Sequence, residues 1–179
     1  MLIVDIKIRK LVFASLFTAI TCVATMIIQI PTPIGGYVHA GDAFVILGAM
    51  LLGGIWGGIA AGLGSALSDI IFGFTVYAPG TFVIKFIMSV TASAIFKTLP
   101  TKKTYLRVFI AAVIAEICMV VLYFIYESTI LGFGMAAVAE IIPNSTQGLF
   151  GAVVGSALVL ALLSSDYVVK SFPELRKYE

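Results

Sequence analysis

The residues able to do chemistry in this chain are few and far apart. His39 is its single histidine, Lys85 a base set apart from the other basic residues, and Asp42, Asp69, Glu116 and Glu127 are carboxylates inside or beside apolar runs. Tyr123, Asn144 and Gln147 add a phenol and two amides. Side chains of these types hydrogen-bond and ion-pair with a polar solute. They do not make a reaction centre. The chain has no G-x-x-x-x-G-K-[ST] loop to cradle nucleotide phosphates, no H-E-x-x-H, no paired Cys/His set and no serine with an evident base. Cys22 and Cys118 fall inside apolar runs and read as small buried hydrophobes rather than a disulfide or zinc cluster. Neither an enzyme nor a bound cofactor or metal is expected. Nucleic acid is not an expected partner, because the basic residues lie in loops rather than in one stripe.

The elements that must position these groups follow from composition. Hydrophobic residues make up 61% of the 179 and charged ones 11%, with a mean hydropathy of +1.14. A soluble domain is nearer half apolar and a quarter charged, so the bilayer must serve as solvent here. A spanning helix takes about 20 residues, which leaves room for one membrane domain over residues 1–179 and no soluble one. Apolar runs at 11–28, 44–72, 82–96, 108–126 and 149–163 are separated by Pro/Gly clusters and charges. The first is too long for a signal-peptide core and lacks a small-x-small cleavage site before Pro31, so it is expected to be a retained span.

The run at 44–72 is long for one helix and holds Gly53-Gly54-Ile55-Trp56-Gly57-Gly58. Charge decides how to divide it. Lys7, Arg9 and Lys10 precede the first run; Lys97, Lys102, Lys103 and Arg107 lie before the 108–126 run; Lys170, Arg176 and Lys177 follow the last. The positive-inside rule places all three groups in the cytoplasm, which demands an even number of crossings between the first two. Splitting the run at its glycines meets that demand. The expected fold is therefore all-α, a polytopic membrane protein with six transmembrane helices near 9–29, 42–53, 55–73, 80–97, 105–128 and 145–164, and with N- and C-termini cytoplasmic. The outer loops are then 29–42, 73–80 and 127–144, the last with a short interfacial helix at 135–142 ended by Pro143. Gly54, Gly58 and Gly62 make a small-xxx-small face for close helix packing.

Charge at mid-bilayer costs roughly 2.5–3.5 kcal/mol even on lenient insertion scales, so the polar residues at depth are site candidates. Glu116, Tyr123 and Glu127 share one helix face at i, i+7 and i+11, and Asn144 and Gln147 are neighbours at i, i+3. Apart from Glu116, the set gathers in the outer half and comes from several elements, as a solute cup requires. Bland alternatives stand beside each. Asp42 could cap a helix, Asp69 could pair with Lys85, His39 could be a solvated loop residue, Glu116 could be a hydrogen-bonded acid between helices, and Asn144 could be an N-cap.

The segments Pro-Thr-Pro-Ile-Gly-Gly-Tyr-Val-His-Ala-Gly-Asp-Ala (31–43), Leu-Leu-Gly-Gly-Ile-Trp-Gly-Gly (51–58), Leu-Ser-Asp-Ile-Ile (67–71), Ala-Pro-Gly-Thr-Phe-Val-Ile-Lys (78–85) and Pro-Asn-Ser-Thr-Gln-Gly (143–148) together resemble the substrate-binding S component of an energy-coupling factor (ECF) vitamin transporter. The resemblance lies in the branch with riboflavin-, hydroxymethylpyrimidine- and pyridoxine-type members. It implies a subunit that binds one vitamin or precursor at the outer face of a prokaryotic plasma membrane. It also implies docking on a transmembrane scaffold subunit and two ATPase subunits, which supply the hydrolysis. Carried over by position, it points to His39 on a lid, and to Lys85, Asn144 and Gln147 in the site; the polar residues at depth add Asp69, Tyr123 and Glu127 to the substrate-binding candidates. The family's docking motif on the first helix has its nearest match in Ser15-Leu-Phe-Thr-Ala19, with Ala14 and Thr18 as an offset pair. Riboflavin-type members often carry a lysine where this chain has Gln147. That favours a small pyrimidine or pyridine ring, which Tyr37, Tyr77 or Tyr123 would stack and the amides would hydrogen-bond. The alternatives are a riboflavin-type S component or a stand-alone ion-coupled transporter with Asp69, Lys85 and Glu116 as a relay.

Overall fold

The computed structural model describes residues 2–172, with side chains from Ile8 onward. Arg176, Lys177 and the side chain of Lys7, used above to orient the chain, lie outside the described residues. Helix α1 (Leu2–Ile27) is followed by a small antiparallel hairpin, β1 (Gln29–Pro31) and β2 (Tyr37–His39), then by α2 (Asp42–Leu52), α3 (Gly54–Ile71), α4 (Ala78–Thr98) and α5 (Thr104–Ile125). A π turn (Tyr126–Ile130) and a 3-10 helix (Gly134–Glu140) lead into α6 (Ile141–Leu163), and a short α7 (Asp166–Ser171) follows.

Five of these helices are long and apolar enough to cross a membrane. Their outer faces expose side chains such as Leu16, Val23, Ile55, Ile71, Val83, Ile117 and Leu149, as suits contact with lipid tails. Helix α2 differs. Its 11 residues reach about 16 Å at 1.5 Å per residue, roughly half the ~30 Å hydrocarbon core. All of them but Phe44 are buried, because α1, α3, α4 and α6 surround it. The helix expected at 42–53 is present with nearly those bounds, as a half-length peg at the centre of the bundle.

Glycine sets the joints. Gly53, at φ +81°, breaks the 44–72 run between α2 and α3, a left-handed conformation that only glycine adopts cheaply. On α3, a Cβ at Gly62 would stand 2.7 Å from the Phe82 carbonyl oxygen of α4, and one at Gly64 would stand 2.6 Å from the Thr18 carbonyl oxygen of α1. Backbones this close replace the hydrophobic drive that lipid cannot supply.

Two local expectations are corrected. Pro143 does not end the interfacial helix. The 3-10 segment runs straight into α6, whose first turn holds Pro143, where the missing N–H is one of the unpaired ones anyway. Asn144 is accordingly inside α6 and not its cap, and Asp42 makes no capping hydrogen bond at α2.

Candidate functional site

The inward faces of α4, α5 and α6 follow helical periodicity. Thr81, Lys85, Met88 and Ala92 are buried along α4; Ala112, Glu116, Met119 and Tyr123 along α5; Asn144, Gln147, Gly151 and Gly155 along α6. The polar members sit toward the end of each helix that faces the hairpin. The π turn continues the α5 face and carries Glu127 inward. Such turns recur at functional sites because they re-aim one side chain.

Two polar layers result. The deeper one is a closed network. Lys85 Nζ meets Asp42 Oδ1 at 2.5 Å, with both side chains fully or almost fully buried. Asp42 Oδ2 accepts from Gln147 Nε2 at 2.7 Å, and Gln147 Oε1 accepts from the His39 backbone N–H at 2.8 Å. The Lys85 ammonium also lies 5.4 Å from the centre of the Tyr123 ring, a cation–π contact. The lysine therefore pairs with Asp42 and not with Asp69, the partner considered from sequence.

Above this layer is a cavity of about 30 Å³ lined by Gly36, Tyr37, His39, Asp69, Tyr77, Thr81, Tyr123, Glu127, Glu140, Asn144 and Gln147. That is room for about two waters, so a ring enters only if the hairpin lifts. Three bonds hold the hairpin down. Tyr37 Oη donates to Asp69 Oδ1 at 2.6 Å, the Ile34 N–H donates to Glu140 Oε1 at 3.0 Å, and His39 reaches Gln147 as described. Tyr37 also packs on Phe74, with ring centres 4.7 Å apart.

Electrostatics keep the lid residues neutral. Burial lowers the His39 imidazole to about 4, against the pull of Asp42 and with the help of Lys85. Its Nδ1 accepts the Gly41 N–H at 3.1 Å, so the neutral ring carries its proton on Nε2. Burial and the Asp69 charge raise the Tyr37 phenol; burial, Glu127 and Glu140 raise Tyr77. Both remain hydrogen-bond donors.

Of the residues singled out from sequence, His39, Asp69, Tyr123, Glu127, Asn144 and Gln147 line this one cavity. Lys85 does not line it; the ammonium sits beneath, within the Asp42 pair. Glu116 lies apart, at a groove of about 310 Å³ between α5 and α6, packed against Gly148 and Gly151. Glu140 and Thr81 were not foreseen. Thr81 stands one turn before Lys85 and accepts from Tyr123 Oη at 3.1 Å; that i, i−4 spacing was the available signal. On α1 the two offset pairs separate: Ala14 is buried and Thr18 half-buried, while Ser15 and Ala19 are exposed.

The chain as a whole is similar to known proteins. Residues 5–164 match the family model described as ECF-type riboflavin transporter, S component. A solved structure described as the S component of a bacterial ECF transporter superposes with a TM-score of 0.66 at 25% identity, covering 88% of this chain and 97% of the other. An uncharacterised protein of Pyrococcus woesei is 36% identical over 137 residues, 76% of this chain and 89% of that one. The chain belongs to the S-component family of ECF transporters, and is thus a membrane-embedded, vitamin-binding transport subunit rather than an enzyme.

Proposed function

We propose that this chain captures a small vitamin or vitamin precursor built on a pyrimidine or pyridine ring, hydroxymethylpyrimidine or pyridoxine being the leading cases. It does so at the outer face of a prokaryotic plasma membrane. In this reading it crosses six times, with α2 as a short buried crossing and both ends in the cytoplasm. The observation that carries the proposal is the cavity under the hairpin, where three phenols, one amide without a protein partner and a neutral imidazole meet. The Asn144 side chain makes no hydrogen bond among the described residues, which leaves its amide for a solute. The cavity widens by lifting the hairpin, and closing it again would bury the ring between Tyr37, Tyr77 and Tyr123.

The exposed pair Ser15 and Ala19 is the proposed docking face for the transmembrane scaffold subunit. The Ser15 hydroxyl is satisfied within α1 by the Leu11 carbonyl at 3.0 Å, so the face presents no unpaired polar group to a partner helix. Two ATPase subunits would supply the energy, and reorientation of the whole apolar body would bring the site to the cytoplasm. A riboflavin-type solute has the family description in its favour. Against it, Gln147 stands where riboflavin-type members often carry a lysine, and both of its amide atoms are already engaged.

Thermal unfolding of the purified protein against a panel of B-vitamins tests this. A ligand at 100 times its Kd stabilises by about 2.7 kcal/mol. A shift with hydroxymethylpyrimidine or pyridoxine is expected; a larger shift with riboflavin would replace the ring assignment.

A further inference from the structure

Resting on the reading of this cavity as the vitamin site, we infer that the solute it takes is a small flat cation, or a ring whose donor edge carries positive charge, and that Glu127 is the residue that selects it. Three carboxylates reach the cavity from three elements: Asp69 from α3, Glu127 from the π turn and Glu140 from the end of the 3-10 helix. Among the described residues, no lysine or arginine lines the cavity. Lys85 is spent on Asp42 below the floor, and His39 is held neutral.

The hydrogen bonds are lopsided in the same direction. Asp69 gives one oxygen to Tyr37 and Glu140 gives one to the Ile34 N–H, so both acids are engaged by the lid. Glu127 has no such duty. Its side chain is 3% exposed, and Oε2 has no hydrogen-bond partner. Asp69 Oδ2 and Tyr77 Oη, on the same cavity, are likewise buried and unpartnered. An acceptor withdrawn from water without a donor costs free energy that an incoming N–H restores. Buried carboxyl groups so close together ionise fully only when a cation joins them, so the pocket favours a cation and disfavours an anion.

An inorganic cation is the poorer fit. Among the described residues, no group of three or more His, Cys, Asp or Glu is arranged to hold a metal ion. Tyr37, Tyr77 and Tyr123 line the same cavity, and aromatic rings attract an organic cation through their π systems. An amino-substituted or cationic heterocycle satisfies both features. A phosphate ester or a carboxylate on the same ring satisfies neither.

The test is equilibrium binding to the full-length purified protein, with five probes of stated charge. Thiamine and pyridoxamine are the cationic probes, pyridoxine and riboflavin the neutral ones, and pyridoxal 5′-phosphate the anion. Glu127→Gln keeps the shape and removes the charge; Glu116→Gln is the control, an equally buried acid that does not line the cavity. The inference expects at least one cationic probe to bind tenfold or more tightly than every neutral one, and the anion not to bind. Glu127→Gln should weaken the cation tenfold or more, leave pyridoxine within threefold, and leave both unchanged in the control. Tighter binding of riboflavin or of the phosphate ester would overturn it while leaving the vitamin site standing, as would an unchanged cation affinity in Glu127→Gln. Binding of none of the five, and none of hydroxymethylpyrimidine, would overturn the vitamin-site reading itself, and this inference with it.

Discussion

Replacing Lys85 by alanine should destabilise the protein before it does anything to binding. The side chain is fully buried, its partner Asp42 is 1% exposed, and the two meet at 2.5 Å. Removing the ammonium leaves a carboxylate in the middle of the helix bundle with one neutral donor, Gln147, for company. Breaking a buried pair from one side costs about 3–5 kcal/mol. For a chain of this size each kcal/mol lowers Tm by about 2–4 °C, on the scaling for soluble domains, so a fall of about 6–20 °C is expected. The assay is thermal unfolding in detergent, followed by the fluorescence of the single tryptophan, Trp56. The companion variant Lys85→Met with Asp42→Asn removes both charges and should recover most of the loss, because a neutral pair of similar volume is tolerated where a lone charge is not. A Lys85→Ala protein within about 1 kcal/mol of wild type would refute the reasoning, and so would a double variant no better than the single one.

Other outcomes follow from the same geometry. Tyr37→Phe deletes the 2.6 Å bond to Asp69; a hydrogen bond to a charged group is worth about 1.5–3 kcal/mol, so faster amide exchange across the hairpin is expected, and unchanged exchange would show that the latch lies elsewhere. The folded His39 titrates near 4, below its ordinary 6.5. On acidification the unfolded chain takes up that proton first, so this residue's contribution to stability is whole above about 6.5 and fades toward 4. His39→Gln should flatten the stability profile between those values, and an unaltered slope would rule the imidazole out as its source. Ala19→Trp should abolish uptake in cells and leave binding to purified protein intact, whereas loss of both would make the exposed face of α1 structural. Gly64→Ala must push α1 away from a contact of 2.6 Å and should cost about 1–3 kcal/mol, read from the same unfolding curves.

Much of this was legible in the residues, and the failures share a cause. The break at Gly53 could be read because charge parity required one and glycine permitted it. The common inward face of Tyr123 and Glu127 followed from helical spacing alone. The short length of α2 was already in the expected bounds of 42–53; what was hidden is that protein wraps it, because a helix buried on all sides is as apolar as one facing lipid, and hydropathy does not separate the two. The partner of Lys85 was hidden for a different reason. Asp69 and Asp42 are both acids near the outer ends of helices, and only the packing of α2 against α4 and α6 chooses between them. The hairpin was read as loop because Pro31, Pro33, Gly35 and Gly36 leave strands of three residues each, too short to show alternation. Glu140 was overlooked because it was read as part of a surface helix, when the 3-10 segment turns it inward.

The account turns on the space beneath the hairpin being where the vitamin sits. Asn144→Ala tests that most directly, since its side-chain amide lines the space and makes no hydrogen bond among the described residues. The account predicts that the tightest-binding vitamin of the panel loses at least tenfold in affinity, about 1.4 kcal/mol, with unfolding of the unliganded protein unchanged. An affinity equal to that of wild type would contradict it.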